Sequence, residues 1–227
     1  MSRTPWRAGG AQRQGRRDVQ ADAFALAGDP ATGRIAVAVA DGIGDTAAAA
    51  DAADLAAEEA VAAALTATPE IGCVRARNQL ALSGTTADAS IITALFDPAH
   101  SRVQFTWAGL CRAYALTTDR QLQRATYDHS IGERIRRHTT QRGPLPMYDR
   151  KVTHTVARHE FVTTSLPTHS TVGVLLCSDG ISESVPERTI VAALLRDDPN
   201  EGAELLAIAA GVDGPDNATA IVLRRAH

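Results

Sequence analysis

A chain of 227 residues, 44% of them hydrophobic, is long enough for one large domain or two small ones and for a buried core. Its 23 basic and 26 acidic residues leave a net charge of −3, and aromatics make up only 4%. That balance excludes a globally basic nucleic-acid coat and disfavours a base-stacking reader, so no nucleic-acid partner is expected.

Cys73, Cys111 and Cys177 are widely spaced and form no Cys-x-x-Cys or Cys/His zinc pattern, which fits free thiols in a reducing compartment. The arginine-rich start has no apolar signal core, and no stretch approaches ~20 uncharged apolar residues. A cytoplasmic location without membrane insertion is the expectation.

Residues 1–15, rich in Arg, Gly and Gln, read as a loose arm or an edge segment, and residues 16–227 as a single domain. Ala23 to Ala27 and Arg34 to Ala40 read as two strands of a hairpin around the turn cluster Asp29 to Gly33. Thr46 to Leu65 is an alanine-rich helix with Asp45 as its expected N-cap, and Pro69 to Leu82 is a shorter second helix. Strands are expected over 89–96, 102–108 and 112–117, with a further one over 122–126. Ser130 to His138 reads as a helix, and residues 139–170 as irregular chain. Thr171 to Cys177 is a strand of buried type. Helices over 186–196 and 200–210 precede a turn at 213–217 and a last strand over 218–223. This order is not the steady β-α alternation of a doubly wound fold. It predicts an α+β domain of antiparallel sheets with helices packed outside.

Two strands end alike, in Val39-Ala40-Asp41-Gly42 and Cys177-Ser178-Asp179-Gly180. Asp216 stands just before the last strand, and Asp22 opens the first. Carboxylates at strand ends gather at one rim of a sheet, where they repel each other unless cations neutralise them. Hard divalent ions with oxygen ligands, Mg²⁺ or Mn²⁺, suit such a set. Two such ions acidify a water and polarise a phosphoryl group. The pattern therefore points to metal-assisted phosphate chemistry.

The same residues resemble the metal-dependent protein phosphatases of type 2C, the PPM family. The family opening Arg-x-x-Asn-x-Asp is matched by Arg17 to Asp22, and its Ala-Asp-Gly-Met-Gly-Gly turn by Ala40 to Asp45. Gly84-Thr85-Thr86, the junction Gly109 to Tyr114 and Asp128-His129-Ser130 follow in the family's order. Leu175 to Ile181 and Asp216-Asn217-Ala218-Thr219 close the series. The resemblance implies a central antiparallel β-sandwich flanked by helices in α-β-β-α layers. It implies two Mn²⁺ or Mg²⁺ ions, with Asp41 bridging both, the Gly42 carbonyl on one, and Asp179 and Asp216 completing the other. Asp22 would hold metal-bound water, and Arg17 would grip the substrate phosphate. The implied reaction is hydrolysis of phosphoserine and phosphothreonine in proteins by a metal-activated water.

The sequence departs from the family at Leu110, where relatives carry an aspartate that helps to hold a third metal. It departs also at Gln20 and Ala21, at Asp45, and at Lys151 to His154 in the expected substrate flap. These departures keep a second reading open: a weakened or inactive relative that binds phosphoproteins as a regulatory module. His129 reads as structural, and His154, His159 and His169 as surface or turn residues.

Overall fold

A computed structural model describes residues 6–211 and 214–226. The strands are β1 (Trp6–Arg13), β2 (Asp22–Asp29), β3 (Arg34–Gly42), β4 (Ala89–Asp97), β5 (Arg102–Ala108), β6 (Arg112–Thr117), β7 (Leu122–Arg124), β8 (Val162–Pro167), β9 (Thr171–Cys177) and β10 (Ala218–Arg225). The helices are α1 (Ala47–Thr66), α2 (Pro69–Ser83), α3 (Ile131–His138), α4 (Pro146–Asp149), α5 (Asp179–Ser182), α6 (Glu187–Leu194) and α7 (Pro199–Ala210). The strands form two five-stranded sheets, ordered β1-β10-β9-β6-β7 and β2-β3-β4-β5-β8. All strand pairings are antiparallel. This is the expected α+β fold, and the sheets face each other with helices outside.

Strand β3 shows why the layers form. Successive strand side chains point to opposite faces. Val37 and Val39 enter the core between the sheets, beside Ile92, Phe105, Trp107, Leu176 and Ile221. Ala36, Ala38 and Ala40 face outward onto α1, whose packed face is Ala52, Ala53, Ala56, Ala57, Ala60 and Ala64. Small side chains on both surfaces let helix and sheet approach closely, which is where much of the chain's alanine goes. The other sheet buries its outer face under α5, α6 and α7, through Leu175, Cys177, Ile181, Ile190, Leu194 and Leu206.

One open alternative resolves and two local expectations change. Residues 6–13 form the edge strand β1, paired with β10 from Trp6↔Arg225 to Arg13↔Ala218; Met1 to Pro5 lie outside the described residues. The segment read as irregular contains α4 and the edge strand β8, whose side chains alternate between half-buried and exposed. The N-cap of α1 is Thr46, not Asp45: the Thr46 hydroxyl accepts the Ala49 N–H at 3.2 Å. The Asp45 carboxylate turns the other way and accepts the N–H groups of Val19 at 2.9 Å and Asp18 at 3.2 Å. It ties down the segment just after Arg17.

Candidate active site

The period-two alternation of β3 also aims the carboxylates. Asp41 has the parity of Val37 and Val39, so it points into the gap between the sheets where the apolar core ends. Asp22 lies directly opposite Asp41 in the β2–β3 register. Cross-strand partners hold their Cβ atoms about 4.5–5.5 Å apart, so the two acids share one rim. The facing sheet supplies Asp179 just after β9 and Asp216 just before β10.

Asp41, Gly42, Asp179 and Asp216 line one cavity of about 180 Å³ together with Arg17. Asp22 stands apart from them: it is buried behind the wall, 4% exposed, and accepts the Ser178 hydroxyl at 2.7 Å. Arg17 Nη2 donates to Asp216 Oδ2 at 2.8 Å. The remaining wall includes Ser90, Leu110, Arg150 and Val152.

Ser178 and Asn217 hold this rim together. The Ser178 hydroxyl accepts the Thr219 N–H at 3.0 Å while donating to Asp22, so it locks β2 to β10. Asn217 Oδ1 accepts the Ala21 N–H at 2.8 Å, and its Nδ2 donates to the carbonyls of Gln14 and Val19. With Asp45, these bonds fix the chain on both sides of Arg17.

Two glycines permit the close approach. A Cβ at Gly42 would sit 2.3 Å from the Ala49 carbonyl oxygen, and one at Gly180 would sit 1.9 Å from the Asn217 carbonyl oxygen. Both obstacles are backbone and cannot swing aside. Gly180→Ala should therefore cost about 2–3 kcal/mol, read as a fall in the urea midpoint at unchanged m-value; an unchanged midpoint would refute this packing.

The carboxylates strain against one another. Burial, followed by the charges of Asp22, Asp179 and Asp216, raises the Asp41 carboxyl well above its ordinary value. Burial pushes Asp22 up to about 7, against the pull of its Ser178 hydrogen bond. Burial and the Asp216 charge push Asp179 up to about 6. The nearby cations only partly offset this. Arg17 is paired with Asp216, and Arg150 reaches Glu183 at 3.1 Å.

The donor set fits hard divalent ions: oxygen atoms, an excess of negative charge, and low-dielectric walls that sharpen the need for a counter-charge. Among the described residues no three His, Cys, Asp or Glu side chains close into a ready-made cage. An open rim is compatible with ions that keep several waters, as Mg²⁺ does.

Leu110 is nearly buried at the cavity wall. Its N–H donates to the Ser90 hydroxyl at 3.2 Å, and Gly109 before it has a φ of +103°. The Asp128-His129-Ser130 element explains how this turn is held. Arg112 donates to both Asp128 oxygens at 2.8 and 2.7 Å. The His129 N–H donates to the Gly109 carbonyl at 2.9 Å, and His129 Nδ1 accepts the Gly109 N–H at 3.2 Å. Ser130 caps α3 by accepting the Glu133 N–H.

His129 stacks on Trp107, and its pKa falls to about 4 through burial and then the neighbouring His154. It is neutral at physiological pH and acts as a clamp. His154 and His159 continue the row as tilted rings at centroid separations of 4.3 and 4.9 Å. The thiols are poor nucleophiles, since burial pushes Cys73 and Cys177 up to about 12. Arg150, at the C-terminal end of α4, was not singled out in the sequence. Nothing in its local pattern marks it, and only the fold carries it to the cavity.

Comparison with known proteins places this architecture. No sequence-family description and no curated protein matches the chain. Solved structures do. The Mycobacterium tuberculosis serine/threonine phosphatase PstP/Ppp is 24% identical, with a TM-score of 0.77 over 98% of this chain and 99% of that one. Stp1 from Staphylococcus aureus, a serine/threonine phosphatase, is 20% identical, with a TM-score of 0.81 over 98% and 96%. The catalytic domain of PstP in complex with two manganese ions is 23% identical, with a TM-score of 0.76 over 98% and 99%. The chain therefore has the fold of the bacterial serine/threonine phosphatases of the PP2C/PPM type, along essentially its whole length.

Proposed function

We propose that this protein is a metal-dependent protein serine/threonine phosphatase. The observation that carries the reading is the rim itself: Asp41, Asp179 and Asp216, from both sheets, line one cavity with Arg17 where the inter-sheet core ends, and Asp22 lies buried behind its wall, opposite Asp41. A cluster of mutually repelling carboxylates destabilises a fold unless cations are its purpose. The two manganese ions of the PstP complex support the same reading for this chain.

In it, Asp41, the Gly42 carbonyl, Asp179 and Asp216 hold two Mn²⁺ or Mg²⁺ ions, and Asp22 orients water behind them. Bound there, the ions would supply charge neutralisation at a phosphoryl group and a water acidic enough to attack at neutral pH. Arg17 binds the substrate phosphate, a two-pronged task that suits a planar guanidinium, and moves from Asp216 onto the phosphoryl oxygens to do so. Ser178 and Asn217 keep this constellation rigid. The partners are phosphorylated proteins. Among the described residues no helix is long and apolar enough to cross a membrane, and a cytoplasmic setting is proposed with the function.

Hydrolysis of a phosphothreonine peptide by purified protein tests the reading. Turnover should require Mn²⁺, stop in EDTA, and fall about 10²-fold in kcat/KM for Arg17→Ala. Absence of turnover with Mn²⁺ still bound by calorimetry would reject the enzyme in favour of the phosphoprotein-binding module.

A further inference from the structure

The other end of the sandwich carries a larger opening. Strands β2 and β3 run from Asp22 and Asp41 to Asp29 and Arg34, seven residues further along the pairing. At about 3.3 Å per residue this is about 23 Å from the carboxylate rim. There the inter-sheet core stops at Trp6 and Phe96, whose rings stack with centroids 5.1 Å apart. Beyond them lies a cleft of about 650 Å³, within the range of small-molecule sites.

We propose that this cleft is a second ligand site, which takes a small, flat, apolar molecule bearing one acidic group. The flat apolar body follows from the floor and from the walls. Trp6 and Phe96 are each 6% exposed and close the bottom, Ile35 lines the side, and the two sheets bound the gap. The acidic group follows from the donors on the wall. Arg225 and His169 stand on the wall; the Arg34 side chain shares the outward parity of Ala36 and donates to the Ala67 carbonyl, and the acid on the wall, Asp29, is already engaged. The Asp29 carboxylate accepts the Thr32 hydroxyl at 2.6 Å and the Ala31 N–H at 2.9 Å within its own turn. Arg225 Nη1 reaches the Thr168 carbonyl at 3.4 Å, a long bond that leaves donors for an anion. The site is independent of the carboxylate rim and of the phosphatase reading.

The test is a titration of the full chain with 8-anilinonaphthalene-1-sulfonate, a flat apolar dye with one sulfonate. Its emission is excited through tryptophan, since Trp6 lies at the cleft floor. One dye should bind per chain, saturably. Arg225→Glu should weaken it at least about tenfold and Arg225→Lys by no more than about threefold, as loss or retention of the charge dictates. The uncharged N-phenyl-1-naphthylamine should bind about tenfold more weakly. Thr32→Trp, on the exposed turn at the mouth, should block the dye if Arg225→Glu does not fold by circular dichroism. Asp41→Asn should leave binding unchanged. Failure to saturate at one dye per chain, or wild-type binding by folded Arg225→Glu or by Thr32→Trp, would overturn the proposal. So would loss of the dye in Asp41→Asn, which would put it at the carboxylate rim.

Discussion

Asp41→Asn should abolish Mn²⁺-dependent phosphatase turnover and at the same time make the metal-free protein more stable. The two effects have one cause. Asp41 sits between Asp22, Asp179 and Asp216, and all three raise its carboxyl, after burial has done so first. In the proposed site it would help to hold the ions together with Asp179 and Asp216. Its loss removes the divalent charge from the reacting phosphoryl group, a contribution of several kcal/mol. That corresponds to a fall in kcat of about 10³-fold or more.

Without metal the sign reverses. An amide of the same shape carries no charge, so the repulsion disappears. Asparagine should then raise the unfolding free energy at pH 8, because a carboxyl raised in the folded state costs stability once the unfolded chain has lost its proton. Urea unfolding in EDTA and thermal shifts with Mn²⁺ measure both halves. A variant that is inactive but no more stable in EDTA would mean that the carboxylates do not repel as described. Retained Mn²⁺-dependent turnover would remove Asp41 from the site altogether.

The rim was legible in the sequence because its residues sit at strand ends beside glycine, where position follows from periodicity. Ala-Asp-Gly after alternating Ala and Val fixes both the strand and the side to which Asp41 points. Ser-Asp-Gly after an apolar run does the same for Asp179. The layers were legible for the same reason, since β3, β4, β9 and β10 are apolar runs with clear ends. β1 was not, because Gly9 and Gly10 carry no pattern. Their lack of a side chain is explained only by what presses on them: a Cβ at Gly9 would lie 2.4 Å from Asn200, and one at Gly10 would lie 2.5 Å from the Phe24 ring.

β8 was hidden by polarity. Val162 to Pro167 is an edge strand half open to solvent, and its threonines and serine read like loop. Asp45 was misassigned because Asp45 and Thr46 are both good caps, and the choice depends on Asp18 and Val19, which arrive from another part of the chain. Arg150 depends on how the segment around α4 folds, which no local spacing encodes. Leu110 was visible as a departure, and the fold adds that it packs at the cavity wall under a backbone bond to Ser90.

The same charge repulsion should make the metal-free protein respond to pH in an unusual direction. Asp22 is raised to about 7 and Asp41 well above its ordinary value. A carboxyl raised in the folded state holds its proton there while the unfolded chain has lost it. Its contribution is complete below about pH 4 and vanishes as pH rises through the folded value. His129 works in the opposite sense: lowered to about 4 from 6.5, it favours the folded state increasingly as pH rises between those values. The half-exposed His154 shifts the same way. Asp29 and Asp97, whose carboxyls are lowered, act only below about pH 4.

Between pH 6.5 and 8.5 the rim carboxylates therefore dominate. The buried Cys73 and Cys177 thiols, pushed up to about 12, act in the same direction only near the top of that interval, where the unfolded thiols begin to ionise. The metal-free protein should lose about 1–2 kcal/mol over this interval, seen as a falling urea midpoint in EDTA. Asp22→Asn should flatten the slope. Saturating Mn²⁺ should remove it, because ions that displace the shared protons bind more tightly as pH rises. The Mn²⁺-induced rise in melting temperature should consequently grow from pH 6.5 to 8.5. A urea midpoint that rises with pH in EDTA would contradict the buried, uncompensated rim on which the metal assignment rests.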